Sequence, residues 1–493
     1  MQTRSQTRAK AFKWMSLPAE IRLMILEAIA HQKNPGWGSL ASVCREWRYV
    51  LEGANFYKMN LGISCLNDFK RIASPQKRNL IRHICLNVEL PEYMSRCCSK
   101  RRSPPTRANA IFNEGLWKLC YILSTWEASC DLALEINIYS PSDCKHWFKN
   151  IYLSSDDTEH DDEDTMLEAL RTEPVFHDPK HGWEHGRQVK APPSSALSRL
   201  FKRIWLTCPE ALPRIKAVTR FIIRRQLRRC IGPMGLGLLL SKFERLEHVS
   251  YEPWAPYDEE AGQFLDRALS FSIQTHFPNT LKKLTIFEES YKFYDRFPRR
   301  PAQVPWYGLF DVTGGLGVVL ASKSLQLQHL AISYMINAEE IFSHCQSTWS
   351  WPHLQSLALT SQLLENDLTK HKQIEDLLRR AGVLVRQMPK MHTFVLWNGG
   401  RAHACAFIYR LDRGYASITW RGTWNLALSP RVIESWQLVA SKELPFRRFQ
   451  LKNEHIQEAI RSHGDAIYHL ELPCEVVDPA SLWQIRKEAF SLA

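Results

Sequence analysis

The sequence predicts an α/β chain in which a small all-helical N-terminal unit precedes an irregular array of strands alternating with helices. Three observations carry that expectation: an apolar, helix-forming stretch near the start, a recurring L-x-x-L-x-L spacing, and helical periodicity between its copies. A length of 493 residues accommodates one small unit and one long array, and either can bury a core.

The start, Met1 to Lys13, is polar and basic through Arg4, Arg8, Lys10 and Lys13, so residues 1–11 read as a disordered tail. The first helix opens at Leu17-Pro18-Ala19-Glu20, where Pro18 suits a first helical position and Glu20 meets the positive end of the helix dipole. At 100° per residue Ile21, Met24, Ile25, Ala28 and Ile29 share one face, while Leu23 and Leu26 project from the other. After a turn at Asn34-Pro35-Gly36, Leu40, Val43, Cys44, Trp47 and Leu51 form one stripe of a second helix. Two short helices can close on that stripe without covering Leu23 and Leu26, and each leucine left in water forgoes roughly 1.5–3 kcal/mol. A second apolar face on so small a unit marks a docking element.

Leu17, Pro18, Glu20, Ile21, Ile25 and Leu26, followed by Leu40, Ala41, Val43, Cys44 and Trp47, resemble the F-box pattern, a Leu-Pro-x-Glu-Ile-x-x-x-Ile-Leu helix with a later Val-Cys-x-x-Trp helix. The resemblance spans about Phe12 to Tyr57 and sets an F-box at residues 12–58; it departs at Ala30 to Ser39, where that family has a short acidic connection. It implies a docking surface for the Skp adaptor of a cullin-based, SCF-type ubiquitin ligase, built from Leu17, Pro18, Glu20, Ile21, Leu23, Ile25, Leu26, Leu40, Val43, Cys44 and Trp47. It also implies that residues 59–493 select a protein substrate for ubiquitination, with no catalytic residue and no cofactor in this chain.

The array follows. Its spacing recurs as Ile81, Ile84, Leu86; Leu246, Val249, Tyr251; Leu281, Leu284, Ile286; Leu327, Leu330, Ile332; Leu354, Leu357, Leu359; and Met391, Phe394, Leu396. Two further copies are read at Phe446, Phe449, Leu451 and at Ile467, Leu470, Leu472. In a leucine-rich repeat such residues enter one shared core, so neighbouring copies must stack; the fold expected is an irregular leucine-rich-repeat-like solenoid with a parallel sheet. An ordinary α/β domain with buried strands is the alternative, since the copies are unequally spaced. Helical segments are expected at Gly115 to Glu127, Asp258 to Phe271, Asn337 to Cys345, Lys370 to Met388, Pro430 to Ser441, His455 to Ser462 and Ser481 to Ser491. Leu132, Leu134, Ile136 and Ile138 alternate as a strand.

Residues 140–198 turn polar, acidic and proline-bearing, with Asp156 to Asp164 as an acidic run, and read as a partly disordered insertion carrying Ser154 and Ser155 in a solvated loop. Alternation at Cys405, Phe407 and Tyr409, then at Ile418 and Trp420, flanks Asp412-Arg413-Gly414 as a hairpin. Trp397-Asn398-Gly399 and Trp420 to Trp424 resemble the C-terminal region of many fungal F-box proteins. Those tryptophans suit a partner surface or the capping of the array's end.

No motif for catalysis or metal binding emerges. His177, His181 and His185 recur every four residues, but Pro179, Gly182 and Gly186 oppose a helix and leave a solvated loop. Gly232 to Gly237 has neither dinucleotide nor P-loop order and reads as a turn. Thirteen scattered cysteines and a start without an apolar signal imply reduced thiols and a cytoplasmic or nuclear chain. The apolar run near Ile231 to Leu240 is too short to span a membrane. The net charge of +13 supports a second function class. Arg220, Arg224 and Arg228 would share a helical face adjoining Arg225 and Arg229, a candidate anion-binding surface for nucleic acid or phosphate within Arg199 to Arg229.

Overall fold

Backbone hydrogen bonding joins twelve strands into one sheet whose order is, from edge to edge, the order of the chain. The computed structural model describes residues 14–32, 36–98, 106–128, 131–151, 176–256, 259–290, 315–412, 414–441 and 448–490. The basic tail, the acidic run, Ser154, Ser155 and Phe446 lie outside the described residues. The strands are β1 Lys58–Gly62, β2 His83–Glu89, β3 Leu132–Tyr139, β4 Val218–Ile223, β5 His248–Tyr251 and β6 Lys283–Phe287. They continue as β7 His329–Ser333, β8 Ser356–Thr360, β9 Thr393–Gly400, β10 His403–Asp412, β11 Tyr415–Gly422 and β12 Arg448–His455. β1 through β9 are parallel, β9–β10–β11 form an antiparallel meander, and β12 joins β11 in parallel.

The recurring spacing becomes two ladders. Ile84, Leu134, Phe221, Val249, Leu284, Leu330, Leu357 and Phe394 are successive cross-strand partners. Two residues on, Tyr251, Ile286, Ile332, Leu359 and Leu396 repeat the arrangement. Both ladders point into one continuous core. Its other half comes from helices between and after the strands: α3 Leu66–Ile72, α4 Thr106–Ser124, α6 Pro233–Leu240, α7 Glu259–Thr275, α8 Leu316–Ser324, α9 Ala338–His344, α10 His371–Val385 and α11 Pro430–Ser441. Because parallel crossovers keep one hand, helices held on one face make each new strand add on the same side of the last.

The second face is covered too, over part of the sheet. Ala331, Ala358, Val395, Ala406 and Ile408 project there and pack against Ala466, Ile467, Leu470 and Ile485 of the last two helices, α12 His463–Leu470 and α13 Pro479–Phe490. Gly399 gives α12 its seat, since a Cβ at that position would lie 2.5 Å from Ala466 Cβ.

Several expectations are corrected. Ile467, Leu470 and Leu472 are not a strand copy: the first two sit on α12 and serve the second-face core. Phe449 and Leu451 are in a strand as expected, the edge strand β12 bearing Arg448, Lys452 and Glu454, and Phe449 packs against the main core, but Leu451 is exposed. Residues 456–462 are not helical, whereas Gly232 to Gly237 opens α6 with Pro233 in its first turn. Val218, Phe221 and Ile223 form a strand inside a stretch expected to be helical. The ends of the proposed insertion are packed: Trp147, Phe148 and Ile151 form a small core with Cys98 and with Ala196, Leu197 and Leu200 of α5 Ser194–Leu200. The hairpin is as expected, with Gly414 at φ +107°. Trp397, Trp420 and Trp424 are buried and so present no partner surface. No helix among the described residues is long and apolar enough to cross a membrane.

Candidate functional site

The N-terminal unit consists of α1 Ala19–Gln32, a 3₁₀ segment Trp37–Ser42 and α2 Arg45–Tyr57, which runs directly into β1. Pro18 stands just ahead of α1, and its carbonyl accepts the Arg22 N–H at 3.1 Å. One polar clamp fixes the two helices. Glu46 accepts from Arg22 Nε at 2.8 Å and from Trp14 Nε1 at 2.9 Å, and these hydrogen bonds hold its carboxyl below the usual range. Trp14 also packs on Trp47 with ring centroids 5.4 Å apart.

The continuous second helix expected from Leu40 is interrupted. Ser39 and Ser42 donate their hydroxyls to the carbonyls of Gly36 and Ser39, which competes with helical bonding, and Cys44 is extended at φ −159° ahead of α2. Leu40 and Val43 therefore lie outside α2, and the single stripe does not form. Leu26, expected on the uncovered face, is fully buried, as is Leu51. The exposed apolar side chains include Ile21 at 41% exposure, Leu23 at 45%, Met24 at 62% and Val43 at 58%, with Met15, Tyr49 and Tyr57 exposed as well. Pro18, Glu20 and Cys44 are exposed with them, while Leu17, Ile25, Leu40 and Trp47 are half-buried. Of the eleven residues expected to dock, ten keep at least partial exposure and Leu26 does not; Met24, outside that set, is exposed as well. Exposure thus falls on both faces of α1, at Ile21 and Met24 on one and at Leu23 on the other.

A second assembly lies at the C-terminal ends of the parallel strands, and it replaces the expected basic surface. Arg224, Arg225, Arg228 and Arg229 follow β4 in a loop, not a helix, and all four are buried; only Arg220, within β4, is exposed. Arg224 pairs with Glu135 at 3.0 Å and with Asp478 at 3.5 Å. Arg229 pairs with Asp143 at 2.9 Å. Arg225 reaches Glu289 at 2.8 Å, Gln484 at 2.9 Å and Glu488 at 2.8 Å. Glu488 also accepts from Arg228 at 2.6 Å. Trp254 underlies two of these guanidinium groups, Arg225 at 5.0 Å and Arg228 at 4.3 Å from its ring.

Electrostatics distinguishes the members. Burial alone would raise the Glu289 carboxyl, but the charges of His463 and Arg225 beside it bring it down to about 2. Arg225, despite burial, is raised by Glu488 and Glu289; Arg228 is lowered, because burial outweighs its one close carboxylate. These carboxylates were not singled out from the sequence. One signal was present: Glu135 falls between Leu134 and Ile136 in an alternating strand, which puts an acid on the second face. Glu289 and Glu488 carry no such local mark.

The expected histidine loop is also corrected. His181 is buried, bridging Asp178 and Ser95 at 2.7 Å each, and His177 packs on His185 at 5.1 Å. No group of three or more His, Cys, Asp or Glu arranged to hold a metal occurs among the described residues.

Residues 276–478 match the model of a family of unknown function (DUF6546), a stretch of less than half the chain that runs from the end of α7 to the approach to α13. No curated protein matches the chain.

Proposed function

We propose that the N-terminal unit is an F-box and that the chain is a substrate receptor, docking onto the Skp adaptor of an SCF-type ubiquitin ligase while the long α/β array holds a protein target. The observation that carries this reading is the apolar surface of Ile21, Leu23, Met24 and Val43, left uncovered on helices that are otherwise clamped through Arg22, Glu46 and Trp14. Four large apolar side chains left exposed on so small a unit support an interaction site. Residues Leu17 to Leu26 supply the Leu-Pro-x-Glu-Ile sequence that fits the adaptor. The chain-order succession of strands, with the crossover helices on one face and only α12 and α13 on the other, supports an irregular leucine-rich-repeat-like solenoid.

The test is co-elution of the full chain with the Skp adaptor. An Ile21→Ser, Leu23→Ser, Val43→Ser variant should lose the complex at unchanged thermal midpoint, because none of these side chains is buried. Retained co-elution of the folded variant overturns the assignment.

A further inference from the structure

At β12 the sheet stops with its row of core side chains unfinished. Phe394, Tyr409, Ile418 and Leu451 are successive cross-strand partners, so the ladder that begins at Ile84 runs through the meander and reaches β12 at Leu451. Phe394, Tyr409 and Ile418 are buried, whereas Leu451 is 52% exposed, and no strand among the described residues pairs with the outer edge of β12. One bond sets the polarity of that edge. The Ile456 N–H donates to the Gly422 carbonyl at 2.9 Å, so even-numbered positions of β12 turn their N–H and C=O groups toward β11, and Phe449, Leu451 and Asn453 turn theirs outward.

An open edge is a template for another strand, and charges along it restrict which strands can add. In a two-fold pair of β12 edges the strands run antiparallel and residues with outward backbone face one another. Two such registers overlap seven of the eight residues of Arg448–His455. Centring the axis on Lys452 sets two lysines face to face, which is repulsive. Centring it on Leu451 sets Arg448 against Glu454 twice, Gln450 against Lys452, Phe449 against Asn453, and Leu451 against its own copy. We propose that two copies of this chain join β12 to β12 in this second register, making one sheet continuous across a two-fold axis at Leu451. The three facing pairs with outward backbone each exchange two hydrogen bonds. Leu451 then meets Leu451 of the second copy, and the apolar ladder closes on itself. Glu454 already accepts from Arg421 at 3.4 Å, and Arg448 of the second copy reaches it from the other side, giving a row of alternating charge. A strand of unrelated sequence would not match both the charges and the apolar row. β12 lies at the opposite edge of the sheet from β1, where the N-terminal unit joins, so this pairing does not depend on adaptor docking.

A strand edge is a small contact beside the ~1,200–2,000 Å² of a standard stable interface, so the dissociation constant expected is about 10–100 μM. Sedimentation of the full chain from about 1 to 300 μM should therefore show a monomer–dimer equilibrium. Arg448→Glu alone and Glu454→Arg alone each set like charges face to face twice and should weaken the pair about tenfold or more, with an unchanged thermal midpoint in dilute solution. Mixed in equal amounts, the two variants regain two opposite-charge pairs across the axis and should associate within about threefold of the original affinity. If Glu454→Arg does not fold, Leu451→Lys decides, since it places two ammonium groups on the axis and should abolish the dimer. Three outcomes overturn the proposal: monomer throughout the concentration range, which would leave the edge to a strand of another protein; unaltered dimerisation in the folded single variants; or failure of the mixture to associate.

Discussion

Every nitrogen of the Arg225 guanidinium donates a hydrogen bond. Nε, Nη1 and Nη2 serve Glu289, Gln484 and Glu488, and its backbone N–H serves Glu252 at 2.9 Å. Removing one partner of such a buried pair costs more than the pair contributes, because the remaining charge stays dehydrated. Glu289→Gln should therefore lower stability by about 3–5 kcal/mol near neutrality, measured by urea unfolding. The pH dependence has a definite sign. The folded-state carboxyl sits at about 2 against an ordinary 4.5, so its stabilisation is present above 4.5 and is lost as pH falls toward 2. The gap between wild type and variant should stay level from about pH 7 to 5, then shrink by roughly 3 kcal/mol by pH 2. A gap that is flat throughout would mean Glu289 is not held ionised by His463 and Arg225.

At the scale of elements, two leucines in identical sequence patterns separate cleanly. Leu357 in β8 lies in the ladder beneath the helices, whereas Leu451 in β12 is exposed at the sheet edge. Leu357→Ala should cost about 2–5 kcal/mol and Leu451→Ala no more than about 0.5 kcal/mol. A close approach makes the second case. Gly399→Ala places a methyl against Ala466 and should cost about 1–3 kcal/mol, with part recovered by Ala466→Gly in the same chain. The six copies of the spacing from Ile81 to Leu396 are legible because parallel in-register strands repeat one local rule. Val218, Phe221 and Ile223 obey it too, but the flanking arginines suggested a basic helix instead. The one misplaced copy shows the limit of the pattern: L-x-x-L is compatible with a helix face, as at Ile467 and Leu470. The buried arginines were unreadable for a related reason, since their acids lie up to 263 residues away in the chain.

For the whole molecule, the two ends differ in what they hold. The segment from Ile456 onward supplies the cover for Ala331, Ala358, Val395, Ala406 and Ile408, and with Glu488 and Gln484 it neutralises and satisfies Arg225. The N-terminal helices keep Leu26 and Leu51 buried within their own unit and touch the main core chiefly through Phe56, at the junction with β1. Truncation after His455 should therefore abolish cooperative unfolding and expose surface that binds a hydrophobic dye, because a sheet face and a buried charge lose their partners together. Deletion through Tyr57 should leave a cooperative transition, lowered by the uncovered edge at β1 but not lost. Thermal unfolding followed by near-ultraviolet circular dichroism reads both. A cooperative transition retained without residues 456–493 would show that α12 and α13 merely decorate the sheet, and the second-face core would then not be a structural requirement of this fold.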